Sequence, residues 1–260
     1  MALQFDLQKS TQALSFALEK HEVAKILPCQ VHMVMDVSGS FEDEHRDGYT
    51  QQLMNRFVPF SMLFDKDKVL DSYAFGSRAK QLPQITAANY AAYIKKHMPY
   101  SNGKLGYSTN YADAFTLMIE SCQEGHAVTQ AVQQGSKKTA GFLGRLFGRS
   151  EPIAEPAPAP VAPVAPSKEK HLFFFVTDGQ PDSASEAKAK LDELMQDNVF
   201  IVFISVNPRP VSFLETFATA PHTMYLNYTP NQLRSLERVS DEDLYAQLLA
   251  APQLVTWMNK

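Results

Sequence analysis

The sequence predicts an α/β fold: a doubly wound, mostly parallel central sheet flanked by helices and interrupted by one Pro/Ala-rich disordered insert. Three observations lead there. Apolar runs at 31–35, 172–176 and 199–206 are nearly continuous rather than alternating, the pattern of strands buried on both faces. Stretches with helical spacing separate them, and strands that alternate with helices build parallel sheets. Two of the runs end on a carboxylate, Asp36 and Asp178, where such sheets bind ligands: outside the C-terminal strand ends, at a topological switch point.

In chain order, Leu7, Leu14, Phe16 and Leu18 among polar residues predict a helix over 7–20, and the first strand follows at 31–36. Leu53, Met54, Phe57, Val58 and Met62 recur at helical spacing and predict one helix across 47–64. Residues 69–75 read as the second strand and 79–82 as a short edge strand closed by Pro83. Helices are predicted at 87–97, 110–123 and 184–197, and strands at 171–177 and 199–206. Short elements at 211–218, 223–227 and 230–236 precede a last helix from about Ser240, whose hydroxyl with Asp243 forms a capping-box variant.

The bulk properties suit one large domain spanning 1–260, with 45% hydrophobic residues to fill a core. Cys29 and Cys122 give no disulfide framework and read as reduced thiols. The first residues lack the basic start and apolar stretch of a signal peptide, and no apolar run approaches a membrane span, so a cytoplasmic protein without a transmembrane segment is expected. Of the net charge of −4, residues 136–170 contribute +3, leaving −7 over the rest. So acidic a body argues against nucleic acid as a partner. The seven histidines show no zinc-type spacing.

Asp36, Ser38 and Ser40 stand two residues apart just past the first strand. In an extended chain that spacing points side chains the same way, so three oxygens converge. Hard cations such as Mg²⁺ take oxygen ligands in octahedral array. Singly, Asp and Ser at a strand end serve turn chemistry. Two further motifs follow, however: Gly106–Thr109 at the head of a helix, and Thr177-Asp178-Gly179 past a second buried strand.

These three motifs in this order resemble the von Willebrand factor A (vWA) family, over most of residues 5–258 apart from the insert. The tail, Asp241–Leu249 with the single Trp257, is similar to the bacterial tellurium-resistance (TerF-like, copine-like) branch. The resemblance implies a metal-ion-dependent adhesion site in which Ser38, Ser40 and Thr109 touch the ion and Asp36 and Asp178 hold it through water. Where the family usually reads Gly-Gly-Thr this chain has Tyr107-Ser108-Thr109, so Ser108 competes with Thr109; Thr109 is preferred because Asn110–Phe115 then continues the pattern in register. Asp36 is expected at a solvent-facing strand end, and Glu42 and Asp182 in solvated loops.

The implied cofactor is a divalent cation, Mg²⁺ first, with Mn²⁺ and Ca²⁺ as alternatives. The implied partner is a protein that supplies an acidic residue to the metal. The expected role is a metal-dependent protein-interaction module, similar to proteins of tellurium-resistance and chemical-stress systems, and not an enzyme. Alternatives are an Mg²⁺-dependent phosphohydrolase or a metal-independent scaffold. The chain has neither G-x-G-x-x-G nor a P-loop lysine. Ser38 stands where a dehalogenase-type phosphatase would carry its general acid.

The insert spans 125–170. Its Pro/Ala tract, 151–167, reads as extended and semi-rigid. The preceding segment 137–149 would place Phe142, Leu143, Leu146 and Phe147 on one helical face beside Lys137, Lys138, Arg145 and Arg149. It is a candidate partner-binding segment, for a second partner or a peripheral membrane contact, weighed against a plain disordered linker.

Overall fold

A computed structural model describes residues 5–23, 27–100, 103–123 and 169–260. The described residues form six strands: β1 (Cys29–Asp36), β2 (Leu70–Phe75), β3 (Ala79–Ile85), β4 (Lys170–Thr177), β5 (Val199–Val206) and β6 (Thr223–Tyr228). They make one sheet in the order β3-β2-β1-β4-β5-β6, all parallel except β3, which runs antiparallel to β2. The chain winds outward from β1 in one direction and from β4 in the other. The switch point therefore lies between these two central strands, where Asp36 and Thr177 end them.

Both sheet faces are covered, which accounts for the continuous apolar runs. On one face Val31, Met33 and Met35 of β1 and Leu172, Phe174 and Val176 of β4 share a core with three helices. These are α1 (Leu7–Lys20), α4 (Val58–Phe64) and α10 (Asp241–Leu249). Phe174 stacks on Phe57 at 4.2 Å and meets Phe60 edge-on at 5.1 Å. A hydrogen bond of 2.6 Å between the Ser10 and Tyr245 hydroxyls ties α1 to α10. On the other face Phe175 lies 4.9 to 5.6 Å from the rings of Phe75, Tyr111, Phe115 and Phe203. Tyr111 and Phe115 come from a helix over 111–123. Among the described residues, no helix is long and apolar enough to cross a membrane.

The structure corrects several element boundaries. The helix predicted across 47–64 is two, Tyr49–Asn55 and Val58–Phe64, preceded by a short helix Glu42–Arg46. Gly48 takes a left-handed φ of 83° between Glu42–Arg46 and Tyr49–Asn55, and Pro59, lacking an N–H, sits in the first turn of α4. Strand β3 does not stop at Pro83. It runs on to Ile85 because it is an edge strand and its register with β2 shifts there, so no ladder bond is demanded of the proline. The predicted helix over 87–97 shrinks to a 3₁₀ turn at Tyr90–Ala92 and the helix Tyr93–His97. The tail is two helices, the second opening on Pro252 and burying Trp257, whose Nε1 donates to the Asp197 carbonyl at 3.1 Å. Ser240 caps α10 through Asp243 N–H, while its own hydroxyl donates to the Asp243 carboxylate.

The chain divides into one unit of Met1–Ile119 with Glu169–Lys260 and a second of Glu120–Lys168. The Pro/Ala tract 151–167 and the segment 137–149, with Phe142, Leu143, Leu146 and Phe147, lie outside the described residues. Lys170, placed in the insert by the sequence reading, instead opens β4. Since Phe174 is fully buried between aromatic partners, Phe174→Ala should destabilise the fold by about 3–5 kcal/mol. Urea unfolding should show a lower midpoint at an unchanged slope; a midpoint equal to the parent's would mean that this face does not hold the core together.

Candidate metal centre

Asp36, the last residue of β1, is fully buried, contrary to the solvent-facing position expected of a strand end. One carboxylate oxygen accepts the Ser38 backbone N–H at 2.7 Å, and the other accepts the Thr177 hydroxyl at 2.6 Å. The acid thus fastens the end of β4 to the turn after β1. Burial, then the nearby Asp178 charge, pushes its pKa up to about 7, with the bonds from Thr177 and Ser38 pulling the other way. Asp178 is also raised, first by burial, with the Glu44 charge adding to it and the Ser40 hydroxyl opposing. Neither carboxylate is ion-paired among the described residues.

The hydroxyls gather at the same point. Ser38 Oγ lies 3.4 Å from Ser40 Oγ and 3.4 Å from Asp178 Oδ1. The Asp178 loop is fixed from behind: the Tyr111 hydroxyl donates to the Gly179 carbonyl at 2.5 Å, and the Asn207 amide donates to the Asp178 carbonyl at 2.7 Å.

Thr109 arrives on a third loop, whose position depends on Gly76. A Cβ there would stand 2.8 Å from the Gly106 carbonyl and 3.0 Å from that of Leu105, and Asn110 N–H donates to the Gly76 carbonyl at 2.9 Å. Thr109 Oγ1 lies 3.9 Å from where a Cβ on Gly179 would be, beside the Asp178 loop. The Ser108 hydroxyl is instead 2.8 Å from that of Ser77. Asp182, read from sequence as a solvated loop residue, is exposed yet binds Thr109 in both directions: its carboxylate accepts Thr109 N–H at 3.0 Å and its own N–H donates to the Thr109 carbonyl at 3.0 Å. The five candidates therefore sit on three adjoining loops.

His45 was not apparent from the sequence. Its Nε2 donates to the Asp36 carbonyl at 2.7 Å and its Nδ1 accepts from the Thr50 hydroxyl at 2.9 Å, an arrangement that fits the neutral ring. Burial lowers its pKa to about 4. No motif spacing marks it, because its role depends on a short helix folding back over β1. A cavity of about 770 Å³ elsewhere, lined by Phe5, Tyr90, Arg56 and Asp241, shares no residue with this centre. Its Arg56 is already paired with Asp241 and donates to the Leu236 and Val239 carbonyls.

The donor set fits a hard divalent cation. Oxygens 3.4 Å apart are too far for firm mutual hydrogen bonds. They are near the roughly 3 Å between adjacent oxygens of an octahedral shell at ~2.1 Å. Asp36, buried, and Asp178, half-buried, both have raised pKa values and lack a compensating positive charge among the described residues. Among the described residues no group of three or more His, Cys, Asp or Glu could hold a metal, so a nitrogen- or sulfur-rich site is not what these loops build.

A doubly wound sheet with these loops at its switch point has the architecture of a vWA domain. Residues 28–133 match the family model described as the vWA found in the TerF C terminus, and match and fold together support a vWA-domain, TerF-like assignment. That span carries Asp36, Ser38, Ser40 and Thr109; Asp178 lies beyond it. The chain is 20% identical over 247 residues to the uncharacterized protein YcbR of Bacillus subtilis strain 168, covering 94% of this chain and 83% of that one. A von Willebrand factor type A structure from Catenulispora acidiphila aligns at a TM-score of 0.50 and 11% identity, covering 85% of this chain and 43% of that one. Proximal thread matrix protein 1 from the mussel byssus aligns at 0.46 and 14%, covering 86% and 49%. The chain thus spans less than half of either of those two solved chains.

The buried His45 carries a pH signature. An unfolded histidine protonates near 6.5, whereas the folded ring does so only near 4. Its contribution is therefore present above pH ~6.5 and lost as pH falls toward 4. In His45→Gln, which keeps an amide donor for the Asp36 carbonyl, the stability gap to the parent should narrow between pH 7 and 4.5 in urea titrations. A gap independent of pH would mean that the ring is not held neutral.

Proposed function

We propose that this chain is a metal-dependent protein-interaction module whose centre is formed by Asp36, Ser38, Ser40, Thr109 and Asp178, acting in a bacterial tellurium-resistance or chemical-stress system. The observation that carries the reading is the division of labour among the oxygens. Both oxygens of Asp36 are committed to Ser38 and Thr177, while the Ser38 and Ser40 hydroxyls stand at the mouth of the switch point. Neutral hydroxyls would be the direct ligands and the carboxylates would act through water. A divalent cation held this way would keep most of its charge and offer an open coordination position to a carboxylate. Mg²⁺ suits the all-oxygen set, and Mn²⁺ and Ca²⁺ suit it next.

The chain's own residues supply the rest. Asp36 and Thr177 lock the two central strands, Tyr111 and Asn207 hold the Asp178 loop, and Asp182 holds Thr109. The partner would bring an acidic side chain, since the centre lacks the one strong ligand that would close it. The burial of Asp36 argues against turnover: its carboxylate is wholly enclosed and tied to Ser38 and Thr177, which keeps it from direct attack on a phosphoester while its remaining lone pairs can still accept from a metal-bound water.

Asp36→Asn removes the outer-shell charge with little change of volume, so Mg²⁺ and Mn²⁺ affinity by calorimetric titration should fall roughly 10- to 100-fold. Equal affinity in variant and parent would sink the assignment. Thr109→Ala should weaken metal binding and partner capture together, and EDTA should abolish capture from native lysate. Capture that survives both treatments would favour a metal-independent scaffold.

A further inference from the structure

Tyr107 is one of two large hydrophobic residues exposed among the described residues, with 69% of its surface open. It is not a loose side chain. Its carbonyl accepts the Gly39 N–H at 3.2 Å, which ties the loop carrying Thr109 to the turn carrying Ser38 and Ser40. Its ring lies so close to the turn after β1 that a Cβ at Gly39 would come within 3.3 Å of it. A Cβ at Gly103, which also has a left-handed φ of 56°, would come within 2.7 Å. Two glycines therefore make room for an aromatic ring beside the turn that carries Ser38 and Ser40, with most of its surface open to solvent.

Arg78 is fastened to the same platform. Its backbone N–H donates to the Leu105 carbonyl at 3.0 Å and its guanidinium donates to the Lys104 carbonyl at 3.2 Å. It is exposed and makes no ion pair among the described residues. On the α2 side (Glu42–Arg46) the first turn carries Glu42, Asp43 and Glu44; Asp43 pairs with Arg46 at 2.5 Å and Glu44 lies 4.0 Å from Arg234, while the Glu44 charge reaches Asp178. The two flanks thus differ: an approaching chain meets an aromatic ring and the Arg78 guanidinium on one side, and carboxylates mostly engaged by arginines on the other.

We infer that Tyr107 and Arg78 form a specificity shelf that selects an acidic peptide segment in which the metal-seeking carboxylate is flanked by an apolar side chain and a second carboxylate. The apolar side chain covers the Tyr107 ring and the second carboxylate pairs with the Arg78 guanidinium, whose planar fork matches a carboxylate. The net charge of −7 outside residues 136–170 disfavours polyanionic surfaces, so a lipid headgroup layer or nucleic acid fits this rim poorly. The inference rests on the metal-dependent reading above and adds the composition of the partner's segment.

The test uses the full chain loaded with Mn²⁺ and fluorescein-labelled synthetic peptides in anisotropy titrations. One peptide carries a single Asp in a neutral Gly/Ser background; others add a Leu beside it, a second Asp one to four residues away, or both. The parent should bind the peptide with both additions about fivefold or more tighter than the single-Asp peptide, the size expected of exposed pairs acting together. Arg78→Gln should erase the preference for the second Asp, Tyr107→Ala the preference for Leu, and Tyr107→Phe should keep it, with Mn²⁺ affinity unchanged in all three. A parent that ranks the peptides equally, or variants that rank them as the parent does, would overturn the shelf while normal Mn²⁺ titration leaves the metal reading standing. A parent that binds no Mn²⁺, or binds all peptides equally well in EDTA, overturns the metal reading and the shelf with it.

Discussion

The rest of this structure depends on a buried carboxylate at the meeting of two parallel strands. Burying a charged group without partners is strongly unfavourable, and Asp36 has partners only because β1 and β4 end side by side. The Thr177 hydroxyl comes from one strand and the Ser38 N–H from the turn after the other. That single arrangement sets the angle at which the hydroxyls leave the sheet, brings Asp178 to its neighbour across the switch point, and keeps both acids short of positive charge. An apolar residue at Asp36 would satisfy the core and leave Ser38 and Thr177 with nothing to orient them.

Around this junction the packing is aromatic and two-sided. Phe174 and Phe175 are adjacent in sequence but serve different cores, one against Phe57 and Phe60, the other against Tyr111 and Phe115. Because Tyr111 both packs on Phe175 and reaches Gly179 with its hydroxyl, the loop that presents Asp178 inherits its position from the core. The site is rigid for the same reason that the sheet is.

Strands were legible because residues 172–176 and 199–206 have hardly a polar side chain among them, and no helix periodicity competes. The three motif loops were legible as short patterns anchored to those strand ends. What escaped was set by tertiary structure. The helix break at Arg56–Phe57 is hidden by apolar residues that keep helical spacing on both sides of it. Pro83 looked like a strand terminator, since nothing in the sequence says that β3 is an edge whose register shifts at the proline. Asp36 looked exposed because its enclosure comes from residues far along the chain. His45 and Asp182 have no motif at all: each acts through a backbone group of another loop, which only the folded chain brings near.

Strand β4 has two ends with different duties. Asp178 follows its C-terminal end, while the chain enters it at Lys170, eight residues earlier. At ~3.3 Å per residue, roughly 25 Å of buried strand lies between the two. Loop-closure entropy grows only slowly with length, so the sequence feeding into Lys170 can lengthen, shorten or change composition at small thermodynamic expense. The strand's whole buried length thus separates Lys170, where the chain enters, from the loop that presents Asp178, so a change before the one need not be felt by the other.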